Sequence, residues 1–312
     1  MATYRAHSIT CFADGQGSAV HVPGIISKSI NVNPEIVAEL TGSATRPKHT
    51  AMNAIDPLLS GSLYSLKTAL DIIGTTGFGI DSDTNPGLTM YLAQLTDMGD
   101  LVGGSTDRSY LVKKGAWVPR RLTCNSRGDA TLEWEVYCLQ KGSNDPVVIS
   151  DSATLPTIVI AEARWTLGPI DLGGVVLSAY NQVTIDFGLE ITPQAVESAI
   201  YNKYLGVKNQ IPTITIQGID PTWWSSSPVP IGGAAVTHAN SNFYLRKRTQ
   251  DGAHFVANGT AEHIKFTFAG LAAVEAVNVT ATSLADTSLR IQAVEDSSGN
   301  APLIVDTASA IS

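Results

Sequence analysis

Ser143-Asn144-Asp145-Pro146-Val147-Val148-Ile149-Ser150-Asp151-Ser152-Ala153 and Ser298-Gly299-Asn300-Ala301-Pro302-Leu303-Ile304-Val305-Asp306-Thr307-Ala308 read almost alike: a polar turn, a proline, an apolar run, then Asp and a small hydroxylated residue before Ala. One match of this length can arise by chance, so the question is whether others follow in the same order at a similar offset. They do. Ile55-Asp56-Pro57 recurs as Ile219-Asp220-Pro221, an offset of 164, and Asp129-Ala130-Thr131-Leu132 as Asp286-Thr287-Ser288-Leu289, an offset of 157. Pro34 matches Pro193 at 159 and Pro146 matches Pro302 at 156, a drift of the kind loop insertions produce. The chain thus reads as a tandem duplication of a domain of roughly 150 residues, a common domain size. Residues 1–156 form the first copy and 157–312 the second, with the boundary near Pro156.

The 312 residues are 44% hydrophobic, a globular composition with length enough for two cores. Asp, Glu, Lys and Arg make up 15%, against roughly 25% in an ordinary soluble domain. A monomer in free solution needs a charged surface, so the deficit points to a surface covered by neighbouring subunits. A Thr-rich β protein that is simply uncharged is the competing reading. The formal net charge of −8, with no long run of one sign, argues against a broad basic grip on nucleic acid. It leaves open a surface that nucleic acid passes without sticking.

Cys11, Cys124 and Cys138 have no Cys-x-x-Cys spacing. A hairpin turning near Arg127-Gly128 sets Cys124 opposite Thr131 and away from Cys138, so free, mostly buried thiols in a reducing compartment are expected. Met1 to His7 lack the apolar core of a secretory signal, and no apolar run is long enough to cross a bilayer. Synthesis in the cytoplasm, with no membrane partner, is the expectation.

Along the chain, Ile26, Lys28, Ile30 and Val32 alternate with Ser27, Ser29, Asn31 and Asn33, which predicts a half-exposed strand ended by Pro34. Glu35 to Asn53 reads as a long hairpin or an excursion from the core. Leu63, Leu66, Leu70 and Ile73 predict a helix, with Ser60 or Ser62 as N-cap and Gly74 past its end, and Leu88, Tyr91, Leu92, Leu95 and Met98 fit a second. From Trp117 to Leu139 the pattern predicts a hairpin turning near Gly128-Asp129, with Leu132, Trp134, Val136 and Cys138 on one face. In the second half, Val183, Ile185, Phe187 and Leu189 alternate as a strand, and Thr192-Pro193 opens a short helix through Val196, Ala199, Ile200 and Tyr204 to Gly206. Ile211 to Ile216 alternates again, and strands are expected at 243–246, 263–268, 274–282 and 289–294. The fold class is therefore mainly β: two similar tandem β-barrel or β-sandwich domains, each with one or two short helices.

No catalytic, cofactor or metal motif emerges. Asp81-Ser82-Asp83-Thr84-Asn85 imitates a calcium loop but has Pro86 where the sharp turn needs Gly and Leu92 where a carboxylate should close the shell. The glycines at 74, 77 and 79 have the wrong order for a dinucleotide fingerprint, the six histidines lack metal-face spacing, and there is no nucleophile elbow. Arg246-Lys247-Arg248, and Arg120-Arg121 with Lys113-Lys114, are basic clusters suited either to dock on a neighbour's acidic patch or to guard a strand edge. Trp223-Trp224 are candidates for an intersubunit anchor, or for packing within the chain, since adjacent strand residues face opposite ways.

A strand, a proline-containing excursion, an Ile-Asp-Pro, a Leu-patterned helix, a Trp-bearing hairpin and a closing strand with Asp-Ser-Ala come in an order that resembles the tail tube proteins (major tail proteins) of long, noncontractile-tailed bacteriophages. The duplication resembles those in which two fused tube domains let three chains build a ring of six similar units. That resemblance implies a structural virion protein without catalysis or cofactor. It further implies trimeric rings stacked into a tube, other tail proteins at its two ends, and DNA passing through the lumen without specific binding. Two readings compete with it. One is another virion β component, such as a tail-tip, connector or capsid-decorating protein; the other is a carbohydrate-binding or hydrolytic β-sandwich with Trp223 and Trp224 as a sugar platform.

Overall fold

The computed structural model describes residues 3–11, 20–39, 49–76, 79–81, 87–157, 163–196, 199–218, 236–249, 251–280, 283–296 and 298–311. The first half contributes β1 (Thr3–Cys11), β2 (Val20–Val22), β3 (Ile25–Asn31), β4 (Pro34–Glu39), β5 (His49–Ile55), β6 (Leu58–Leu63), helix α1 (Leu66–Thr76), β7 (Gly79–Asp81), β8 (Leu88–Leu95), β9 (Asp107–Val112), β10 (Lys114–Asn125), β11 (Thr131–Leu139) and β12 (Val148–Ala153). The second contributes β13 (Trp165–Leu172), β14 (Val175–Val176), β15 (Tyr180–Asp186), β16 (Leu189–Ala195), β17 (Asn202–Gln210), β18 (Thr213–Gly218), β19 (Val236–Lys247), β20 (His263–Thr280), β21 (Ser283–Val294) and β22 (Leu303–Ser309).

One large antiparallel sheet runs through both halves in the order β14-β13-β19-β20-β21-β18-β15-β10-β11-β6-β3, with β22 added to β20 and β7 to β10. A smaller sheet has the order β12-β9-β8-β1-β2, and β4·β5 and β16·β17 stand apart as two-stranded arms. The halves meet where β10 pairs with β15, Arg121 opposite Asp186 through Asn125 opposite Gln182.

Period-2 alternation explains how the large sheet packs. On β11, Leu132, Trp134, Val136 and Cys138 are buried while Thr131, Glu133, Glu135 and Tyr137 alternate outward. On β18, Ile214 and Ile216 are buried between half-exposed Thr213, Thr215 and Gln217. The buried face joins α1 (Leu66, Ala69, Ile73) and the smaller sheet (Ile9, Leu88, Met90) in one apolar core, where Trp117 meets Trp134 edge-on at 6.1 Å.

The strand registers repeat. Each of the six β3·β6 pairs, from Ile25 opposite Leu63 to Asn31 opposite Leu58, reappears in β15·β18 with both partners' numbers raised by 155, Tyr180 opposite Gly218 to Asp186 opposite Thr213. The same shift takes Pro34 opposite Ile55 to Leu189 opposite Gln210, Leu132 opposite Leu63 to Thr287 opposite Gly218, and Lys114 opposite Leu139 to Ala269 opposite Val294. The β-bulges coincide too: the break after Pro119 matches the break after Val274. Bulges recur as designed features of a pairing and are not noise.

A constant 155 corrects the sequence matches. Pro57 corresponds to Pro212 and not to Pro221, and Pro34 to Leu189 and not to Pro193. The closing strands hold the same shift in position, Val148 to Leu303, but β12 pairs with β9 and β22 with β20, two residues out of equivalent register.

Several local readings are also corrected. Leu88–Leu95 is strand β8, hydrogen-bonded to β1 and β9 on its two sides, and Leu189–Ala195 with Asn202–Gln210 form the β16·β17 arm where a helix is predicted. In both, apolar residues three or four apart fit a helix, but β-branched and aromatic neighbours and the available edges favour pairing. α1 starts at Leu66, with the Ser65 carbonyl accepting the Ala69 amide at 3.2 Å, and contains Gly74; Ser60, Ser62 and Leu63 belong to β6. His263–Thr280 is one long strand, not two, and Thr123, not Cys124, lies opposite Thr131. The three cysteines are free, and Cys138 pairs with Gly115.

Candidate functional site

The feature most open to a partner is the outward face of the eight-strand run β20-β21-β18-β15-β10-β11-β6-β3 together with its two ends. Since alternate residues of each strand point outward, this face is built from both halves; it is largely polar, with Leu271 and Val294 as exposed apolar residues at the β20·β21 end. Ser27 and Ser29 on β3 meet Ser62 and Ser60 on β6 through hydroxyl contacts of 2.9 and 2.7 Å. Thr213 of β18 donates to Gln292 of β21 at 3.2 Å, and Gln182 of β15 to Asn125 of β10 at 3.1 Å.

Three ion pairs lie on this face. Arg120 pairs with Glu135 at 2.6 Å, Arg290 with Glu275 at 3.8 Å and Arg121 with Asp186 at 3.9 Å. A surface of hydroxyls, amides and cations already facing carboxylates offers phosphate few strong contacts. Local alternation announces the β3 hydroxyls, whereas Ser60 and Ser62 read as helix caps because their strand partners are distant in sequence.

Of the predicted interface residues, Arg120 is half-buried and donates to the Leu189 carbonyl and the Tyr137 hydroxyl as well as Glu135. It therefore ties β10, β11 and the start of β16 together within the chain. Arg121 is exposed beside Asp186. Arg246 reaches Asn258 at 3.0 Å and lies over Phe255, Lys247 pairs with Glu262 at 2.5 Å, and Arg248 contacts Thr166 at 2.9 Å and Asp129 at 3.5 Å. The structure thus turns the Arg246 to Arg248 cluster toward partners of its own chain. Trp223 and Trp224 lie outside the described residues, as does most of the calcium-loop mimic after Asp81.

His263 is fully buried, accepting the Lys247 amide on Nδ1 and placing Nε2 3.1 Å from the Ala257 carbonyl, a strand-linking role. Among the described residues no group of three or more His, Cys, Asp or Glu is set to hold a metal, and no helix is long and apolar enough to cross a membrane.

The two arms add exposed apolar surface: Ile36 and Met52 on the first, Tyr204 and Val207 on the second. The second arm rests on the first half, where the Ile55 amide donates to the Ile200 carbonyl at 2.8 Å and Asn202 meets Asp56. Against known proteins, the chain matches no family model and no curated protein.

Proposed function

We propose that this chain is a self-assembling structural protein of the tail-tube kind, a tandem duplication in which three copies close a ring of six similar units and rings stack into a tube. The observation that carries this reading is the recurrence of register, at a constant offset, through the eight-strand run, which makes the two halves interchangeable building units laid side by side in one sheet. A unit that joins its own copy within the chain has the geometry to join further copies head to tail, and such contacts close into rings when the rotation allows.

The outward face is then the lumen surface, and its hydroxyls, amides and ion pairs suit DNA that must slide without specific binding. The low charged fraction fits a subunit covered on several sides. The arms and their apolar residues serve contacts between subunits, and other tail proteins meet the tube at its two ends. The chain carries no catalytic role in this reading.

Negative-stain electron microscopy with light-scattering mass over a concentration series tests it. Hollow rings or rods built from three-chain units are expected. A monomer that persists at high concentration would overturn the tube reading and favour a virion accessory component.

A further inference from the structure

The eight-strand run has two edges that no strand covers among the described residues. One is the side of β3 facing away from β6; the other is the C-terminal part of β20, beyond Ala272, on the side facing away from β21. We propose that these edges pair with each other between copies of the chain, antiparallel, with Asn31 of one copy opposite Ala276 of the next, Ile30 opposite Val277 and Ser29 opposite Asn278. This rests on the self-assembly reading and adds the contact and its register.

The template lies inside the chain. β10 carries β7 along its first residues, up to Ala116, and then β15 along Arg121 to Asn125. Its counterpart in the second half, β20, carries β19 as far as Ala272 and then, among the described residues, no further strand along the same side. Arg121 opposite Asp186, Leu122 opposite Ile185 and Thr123 opposite Thr184 give the three pairs above when the β10 member is moved forward, and the β15 member back, by the common offset. β3 is the counterpart of β15, bulge included, so the strand that would fill the vacant edge exists in the chain but at its far end. Only another copy can bring it there.

Burial agrees with this. Leu122, Cys124, Val183 and Ile185 are fully buried at the internal junction, while Ile30 and Val277 remain half-buried at the free edges. The proposed pairing sets these two apolar side chains beside each other on the core side and Ser29 beside Asn278 on the polar side, as alternation requires. Uncovered edges of this length are otherwise templates for uncontrolled pairing.

The test mixes two single variants, Ser29→Cys and Asn278→Cys, under assembling conditions with a short bis-maleimide. A control mixture replaces Asn278→Cys by Ala273→Cys. Cross-linked dimer is expected about ten-fold more in the first mixture, because five residues displace the control thiol by about 17 Å along the strand. Backbone amides of β3 in the unmodified protein should also gain hydrogen-exchange protection on assembly. Rings that form without the 29–278 cross-link, or that favour the control, would overturn this register and leave the tube reading standing. Absence of assembly in the unmodified protein would overturn both.

Discussion

Arg120 and Glu275 occupy the same β-bulge in the two halves of the chain, at equivalent positions of the repeat, and each faces the opposite charge on the adjoining strand, Glu135 at 2.6 Å and Arg290 at 3.8 Å. The ion pair has the opposite sign in the two halves. Its surroundings differ as well: Arg120 and Glu135 are 29% and 27% exposed and Arg120 has further partners, whereas Glu275 and Arg290 are 48% and 55% exposed.

This difference should appear in stability. Arg120→Ala strands the Leu189 carbonyl and Glu135 at a half-buried site and should cost about 1–3 kcal/mol. Glu275→Ala should stay within about 0.5 kcal/mol, as exposed pairs do. Urea unfolding of both variants measures this, and equal losses would mean that Arg120 does not hold the start of β16.

Gly61 is required by a close approach. A Cβ there would lie 2.2 Å from the Ser27 carbonyl oxygen and 2.8 Å from Trp134 Cζ2, while the corresponding position in the second half is Ile216 opposite Leu289. The first half thus places a small residue against a large one where the second uses two of middle size. Gly61→Ala should cost about 1–3 kcal/mol through strain, and Ile216→Ala about 2–5 kcal/mol through a cavity. Thermal unfolding with matched structures would separate the two causes, since only the first displaces β3.

Lys28 donates to the Tyr91 carbonyl at 2.7 Å, and burial pushes its pKa down to about 7 from 10.5. The folded value lies below the unfolded one, so between those pH values the unfolded chain binds the extra proton. Stability from this group therefore rises with pH through that window, by at most about 1.4 kcal/mol per pH unit, and is lowest below pH 7, where both states are protonated. Lys28→Met should raise the melting temperature more at pH 6 than at pH 10. An equal rise at both would show that the ammonium is not desolvated.

Burial raises the Cys11 and Cys138 thiols to about 12 and Cys124 higher still. No thiolate is available near neutral pH, so a disulfide reagent should label none of the three in the native protein and all three after denaturation. Fast labelling of Cys124 would mean that the β10·β15 junction opens.

The readings that came through were those carried by unbroken local patterns. Leu132, Trp134, Val136 and Cys138 alternate with polar residues across a Gly-Asp turn, and that suffices to specify the β10·β11 hairpin and its buried face. The serines and asparagines of β3 likewise announced a polar face. The readings that failed involve short apolar segments. Leu88 to Leu95 and Thr192 to Tyr204 match a helical and a strand spacing about equally, and distant partners decide between them.

By itself, then, the amino-acid sequence determined a mainly β chain of low charge, because side-chain alternation and composition are local properties. The tertiary structure decided the 155-residue recurrence of strand register, the matching place of Pro57 and Pro212 within it, the commitment of Arg120 and Arg246 to Arg248 to partners of their own chain, and which edges of the sheet stay open among the described residues. Each of these depends on hydrogen-bond register between strands far apart along the chain, and register follows from which strands meet and not from the residues of any one of them.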